Sequence, residues 1–81
     1  MIATLPAPLP AARDYPGLRK ALAARRKELG WSQRELDDIT GLQEGYVSKL
    51  ECGDRCFGPL SLALTLQALG VEILLRPIAD T

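Results

Sequence analysis

Apolar residues recur through most of this chain at helical spacing, and glycines punctuate the repeats. Leu18, Leu22, Arg25 and Leu29 share one face, with Ala21 beside them, which predicts a first helix from Tyr15 to Leu29. Asp14 is placed to cap it, and Pro16 suits a first turn. Gly30 stops it. Ser32 and Glu35 then have the spacing of a capping box, so a second helix is expected from Gln33 to Thr40, burying Leu36 and Ile39. Gly41 supplies the positive φ of a tight turn, with Leu42 filling the corner. A third helix is expected from Gln43 to Glu51, burying Val47 and Leu50 and ended by Gly53. A fourth runs from Pro59 to Leu69 with Leu62, Leu66 and Leu69 inward, and Gly70 ends it. Residues 71–76 change character. Val71, Ile73 and Leu75 alternate with Glu72, Leu74 and Arg76, which predicts a short strand stopped by Pro77.

Two short helices joined through a glycine turn must cross steeply. The pattern therefore predicts an all-α domain over residues 14–77, with a helical corner at its centre and one strand at its C-terminal end. Residues 1–13, with Pro6, Pro8 and Pro10 in alternation, are expected to form an extended, mobile arm. Residues 78–81 are expected to be a tail. Eighty-one residues allow one modest core, which would gain from a partner.

Chemistry is limited by what is missing. The chain has no histidine, which removes the commonest general base and most zinc sites. No nucleophile–base pair, metal cluster or phosphate loop is legible, so the chain reads as neither an enzyme nor a holder of a metal or cofactor. Cys52 and Cys56 form no disulfide framework and fit two free thiols in a reducing cytoplasm. No apolar stretch approaches the length of a membrane span, and the N-terminus lacks the layout of a secretory signal.

The stretch WSQRELDDITGLQEGYVSKLECGDR goes further than periodicity. Ser32, Gln33, Leu36, Gly41, Val47, Ser48, Leu50, Glu51 and Gly53 resemble the pattern of the Cro/repressor (XRE-like) helix-turn-helix family. The Gly30-Trp31-Ser32-Gln33 opening and the LQALGVEILLRP ending are similar in layout to DNA-binding antitoxins of the HipB type. The resemblance implies a lambda-repressor-like four-helix domain acting as a homodimer on double-stranded DNA with a palindromic operator. A toxin or other regulatory protein is a further implied partner. It also implies base-facing roles for Gln43, Glu44 and Lys49 with Tyr46 at the edge, and phosphate contacts from Gln33, Ser48 and Arg55. The residue types suit this: glutamine can pair with adenine, and glutamate can accept from cytosine N4. Gln33 also opens a helix, where free backbone donors favour an anion.

A lone strand leaves donors and acceptors unpaired along its edges. Nothing else in the chain reads as a strand, so pairing of residues 71–76 with their twofold mate is expected. Antiparallel pairing brings Glu72 near Arg76 of the mate. Val71, Glu72, Ile73, Leu74, Leu75 and Arg76 are thus the expected dimer residues, joined by Leu60 and Leu64, which lie off the inward stripe of the fourth helix. The alternative is an extended tail packed on its own domain.

Charge complicates the DNA reading. Net charge is zero. From Glu28 to Asp54 the acids are Glu28, Glu35, Asp37, Asp38, Glu44, Glu51 and Asp54, against Arg34 and Lys49 alone. Phosphate binding needs the opposite balance. An acidic face on the same scaffold instead suits a protein-binding regulator such as an antiactivator. Two residues depart from the family pattern. Asp37 stands where a small residue is usual, so its carboxylate must reach solvent or a partner. Gly45 interrupts the expected third helix, leaving either a close approach to a ligand or a frayed first turn.

Overall fold

Backbone N–H groups at the start of a helix need acceptors, and this chain supplies them from short polar side chains. The computed structural model describes residues 11–78. Four α-helices follow in order: α1 Tyr15–Glu28, α2 Gln33–Thr40, α3 Tyr46–Cys52 and α4 Pro59–Leu69. The Asp14 carboxylate accepts from Gly17 N–H at 2.7 Å at the head of α1. Ser32 and Glu35 form the capping box of α2, with bonds of 3.0 and 2.7 Å. The backbone and hydroxyl of Ser32 hold the Glu35 carboxyl below its ordinary range. At α4, Gly58 N–H donates to the Ser61 hydroxyl at 2.9 Å. Residues 1–10 and 79–81, and with them most of the expected arm and tail, lie outside the described residues.

The helices pack as α2 against α3 and α4, and α1 against α3 and α4. Leu22, Leu36, Val47 and Leu69 form the buried core, with Leu18, Leu29, Trp31, Phe57, Leu62, Leu66 and Val71 packed around it. Two details differ from the periodicity. Ile39, expected inside, is 49% exposed. On α4 the most buried positions are Ser61, Thr65 and Leu69, while Leu62 and Leu66 are half-buried. The first two positions of the inward stripe are thus turned by one residue, so that Ser61 and Thr65 take the buried places expected of Leu62 and Leu66.

Two arginines of α1, one buried and one half-buried, tie the helices together. Arg26 of α1 is only 7% exposed. Its Nε and Nη2 donate to both Glu51 oxygens at 2.8 and 3.0 Å, and its Nη1 donates to the Trp31 carbonyl at 2.7 Å. The bidentate geometry is what makes burial of the guanidinium tolerable. Arg25 donates to the Leu69 carbonyl at 2.9 Å, joining α1 to the end of α4. Tyr15 stacks edge-on against Phe57, and its hydroxyl accepts from Phe57 N–H at 2.6 Å. No helix among the described residues is long and apolar enough to cross a membrane.

No strand forms among the described residues. Residues 71–78 continue without regular structure, and Leu74, Leu75 and Ile78 are 80%, 94% and 67% exposed.

Two substitutions test this core. Glu51→Ala strands the buried Arg26 guanidinium, and denaturant unfolding should show a loss of about 3 kcal/mol. Thr65 is 3% exposed, and its hydroxyl has no hydrogen-bond partner among the described residues. Thr65→Val should therefore unfold at an equal or higher temperature, with a gain of up to about 1 kcal/mol. A loss of stability would show that the hydroxyl is satisfied in solution.

Candidate nucleic-acid interface

The expected third helix begins three residues late. Gly45 has φ +86°, a left-handed conformation that a helix interior cannot contain. α3 accordingly runs from Tyr46 to Cys52 instead of Gln43 to Glu51. Of the alternatives for Gly45, neither a ligand nor fraying is needed: the glycine is the cap that turns the chain into the helix.

Asp37 explains why the turn lies there. It is 3% exposed, and its two carboxylate oxygens accept from Gly45 N–H and Val47 N–H, both at 2.8 Å. An acid in α2 thereby satisfies two donors at the start of α3. The carboxylate found a partner, and the partner is the backbone of the neighbouring helix. Gly41, with φ +77°, makes the preceding corner, and its N–H and that of Leu42 donate to the Asp37 carbonyl at 3.0 and 3.1 Å. Both ends of Asp37 thus fix the angle between the two helices.

Gln43 and Glu44 therefore project from the turn ahead of α3, where Tyr46 N–H donates to the Gln43 carbonyl at 2.9 Å. Both are exposed, as are Ser48 and Lys49 on the helix and Arg55 beyond it. None of the described residues covers this polar side. Tyr46 is half-buried, and the Arg55 guanidinium lies over its ring, 5.1 Å from the centroid. Arg55 N–H also donates to the Lys49 carbonyl at 3.2 Å, folding the loop back on the helix end. Gln33 is the member most altered in role. Its amide nitrogen donates to Glu51 at 2.8 Å, so one of its two N–H donors holds α3 and only the second remains for a phosphate.

Arg34 joins this group although periodicity did not single it out. Its guanidinium meets the Glu44 carboxylate at 2.9 Å on the open surface, where both side chains are more than 70% exposed. A pair this exposed contributes little to stability. Either partner can turn from it to a base or a phosphate. The only sequence signal was a lone cation in the first turn of α2.

Most of the acids of the motif have a partner among the described residues. Glu28 pairs with Arg25 at 2.9 Å, Glu35 completes its capping box, Asp37 holds α3, Glu44 meets Arg34, and Glu51 takes Arg26. Two of the compensating cations, Arg25 and Arg26, come from α1. Asp38 and Asp54 remain, exposed, with no ion pair among the described residues. Cys52 and Cys56 are free and exposed.

A family model described as Helix-turn-helix matches residues 22–75. The chain belongs to this helix-turn-helix family. No curated protein matches it. Among solved structures it is similar to a hypothetical transcription factor, NHTF, from Neisseria, at 34% identity and a TM-score of 0.67. The likeness covers 85% of this chain and 80% of that one. The all-α helix-turn-helix fold expected from the sequence thus stands, with α2 and α3 as the motif and a glycine corner between them.

Asp37→Ala removes the acceptor of two N–H groups, and thermal or denaturant unfolding should show a loss of about 2 kcal/mol. Asp37→Asn, which keeps one acceptor oxygen, should fall between. An alanine variant as stable as the parent would mean that Asp37 does not hold the corner.

Proposed function

We propose that this helix-turn-helix chain is a DNA-binding regulator of transcription that acts as a homodimer, with the Gln43–Glu44 turn and α3 entering the major groove. Family membership and the transcription-factor neighbour support a non-enzymatic DNA-binding regulator. The observation that carries the site is the uncovered polar side formed by Gln43, Glu44, Ser48 and Lys49 beside a corner fixed by buried hydrogen bonds.

In this reading Gln43, Glu44 and Lys49 face base edges, with Tyr46 at the rim. Arg55, Ser48 and the second amide N–H of Gln33 meet phosphates, and Arg34 adds a cation on the same side. Tyr46 restricts the Arg55 guanidinium before DNA arrives, which lowers the ordering cost of that contact. A twofold dimer would read half-sites about 10 base pairs apart or a multiple of that, hence a palindromic operator. Repressor and autoregulating antitoxin are two uses of the same reading, both in the cytoplasm. The acidic-face alternative, a protein-binding regulator, has less support than the sequence suggested, because Asp37 and Glu51 are withdrawn into the domain and Glu28, Glu35 and Glu44 each have a partner at its surface.

The test is binding to a duplex that the protein itself selects from a random library, followed by anisotropy across a salt series. Sequence-specific binding should weaken with salt on a linear log–log slope. The double change Gln43→Ala with Glu44→Ala should reduce preference for the selected duplex at least tenfold, with folding unchanged. Arg55→Ala should weaken all duplexes alike and reduce the slope by about 1. No selection and no binding at low salt would overturn the DNA reading in favour of a protein partner. Full affinity in the double variant would remove the turn and α3 as the reader.

A further inference from the structure

We propose that Glu44 withholds Arg34 from DNA until a cytosine takes its carboxylate, so that the Arg34 phosphate contact forms only on the right sequence. This deepens the DNA reading above and rests on it. Arg34, which touches no base, becomes a determinant of specificity.

The observation is one ion pair. The Arg34 guanidinium of α2 and the Glu44 carboxylate of the turn before α3 meet at 2.9 Å, with side chains 73% and 71% exposed. Neither has another hydrogen-bond or ion-pair partner among the described residues. The other partnered acids of the motif are held differently. Glu35 and Asp37 accept from backbone N–H groups, Glu51 is held by Arg26 and Gln33, and Glu28 pairs with its helix neighbour Arg25. Glu44 alone of these lies in the turn assigned to the major groove.

Electrostatics decides what each partner does. A bare carboxylate at that turn is repelled by phosphates, and a bare guanidinium beside it binds phosphate whatever the sequence. Paired, they cancel, and neither property is expressed. An exposed pair is weak enough to exchange, but the exchange is even only on some sequences. Cytosine N4 offers the carboxylate an N–H donor, and a phosphate offers the guanidinium an oxyanion in place of the one it gives up. Guanine O6 and N7 and thymine O4 are acceptors, so a carboxylate that leaves Arg34 there gains nothing. Adenine N6 is a donor, but the N7 acceptor beside it repels the second carboxylate oxygen. Arg34 lies in the first turn of α2, next to Gln33, whose second amide N–H is left for a phosphate. The released guanidinium thus arrives where an anion is already favoured.

The experiment measures anisotropy across a salt series on two duplexes: the one the protein selects from the random library, and a scrambled one of the same length and composition. Glu44→Ala should weaken the selected duplex and tighten the scrambled one. That tightening should exceed the effect of Asp38→Ala by about two- to fivefold, the strength of an exposed ion pair. Asp38 is the charge control, an exposed acid with no ion pair among the described residues. Made on top of Arg34→Ala, Glu44→Ala should tighten the scrambled duplex no more than Asp38→Ala does. Arg34→Ala alone should flatten the salt slope of the selected duplex by about 0.9 and that of the scrambled one by less. The pair contributes little to stability, so every variant should melt with the parent. Tightening that is absent, or equal with and without Arg34, overturns the proposal and leaves the DNA reading in place. So does Arg34→Ala flattening both slopes alike. A parent that selects no duplex, or binds none at low salt, overturns both.

Discussion

A carboxylate buried to 3% exposure holds the two backbone N–H groups that begin α3, and the placement of the polar surface depends on it. A buried acid is costly unless hydrogen-bonded, and orphan donors at a helix start are costly unless accepted. Asp37 and the Gly45–Val47 backbone remove both costs at once. The consequence is positional. Because the acceptor is on α2, the helix begins where α2 can reach it, and Gln43 and Glu44 are left on a turn.

The Arg26–Glu51 pair works alongside this one from the other side of the domain. It joins α1 to the end of α3, and Gln33 joins the same carboxylate from α2. α3 is thus held near its start through Asp37 and near its end through Glu51. A helix of seven residues would be unstable alone. Here it is anchored by polar side chains from two neighbours and by Val47 and Leu50 in the core. The outward side is then free of structural duty, which is what a recognition surface requires.

Charge illustrates how a window along the sequence can mislead. Seven acids against two bases look hostile to DNA when counted from Glu28 to Asp54. Folding pairs Glu51 and Glu28 with arginines of α1, outside that window, and spends Glu35 and Asp37 on backbone donors. Coulomb interactions follow distance in space, and burial decides which charges a phosphate would meet.

The sequence alone determined the helices whose ends carry local signals. Ser32 with Glu35, Asp14 with Gly17, and the glycines after α1, α2 and α4 act within a few residues, so their effect is readable without a fold. The helix-turn-helix resemblance was legible for the same reason, through residues closely spaced around one corner. Tertiary structure alone decided the start of α3, the exposure of Ile39, the rotation of α4 and the pairing of Gln33 with Glu51. Each depends on a partner 8 or more positions away or on how the helices pack, and neither is written in the periodicity of a single segment.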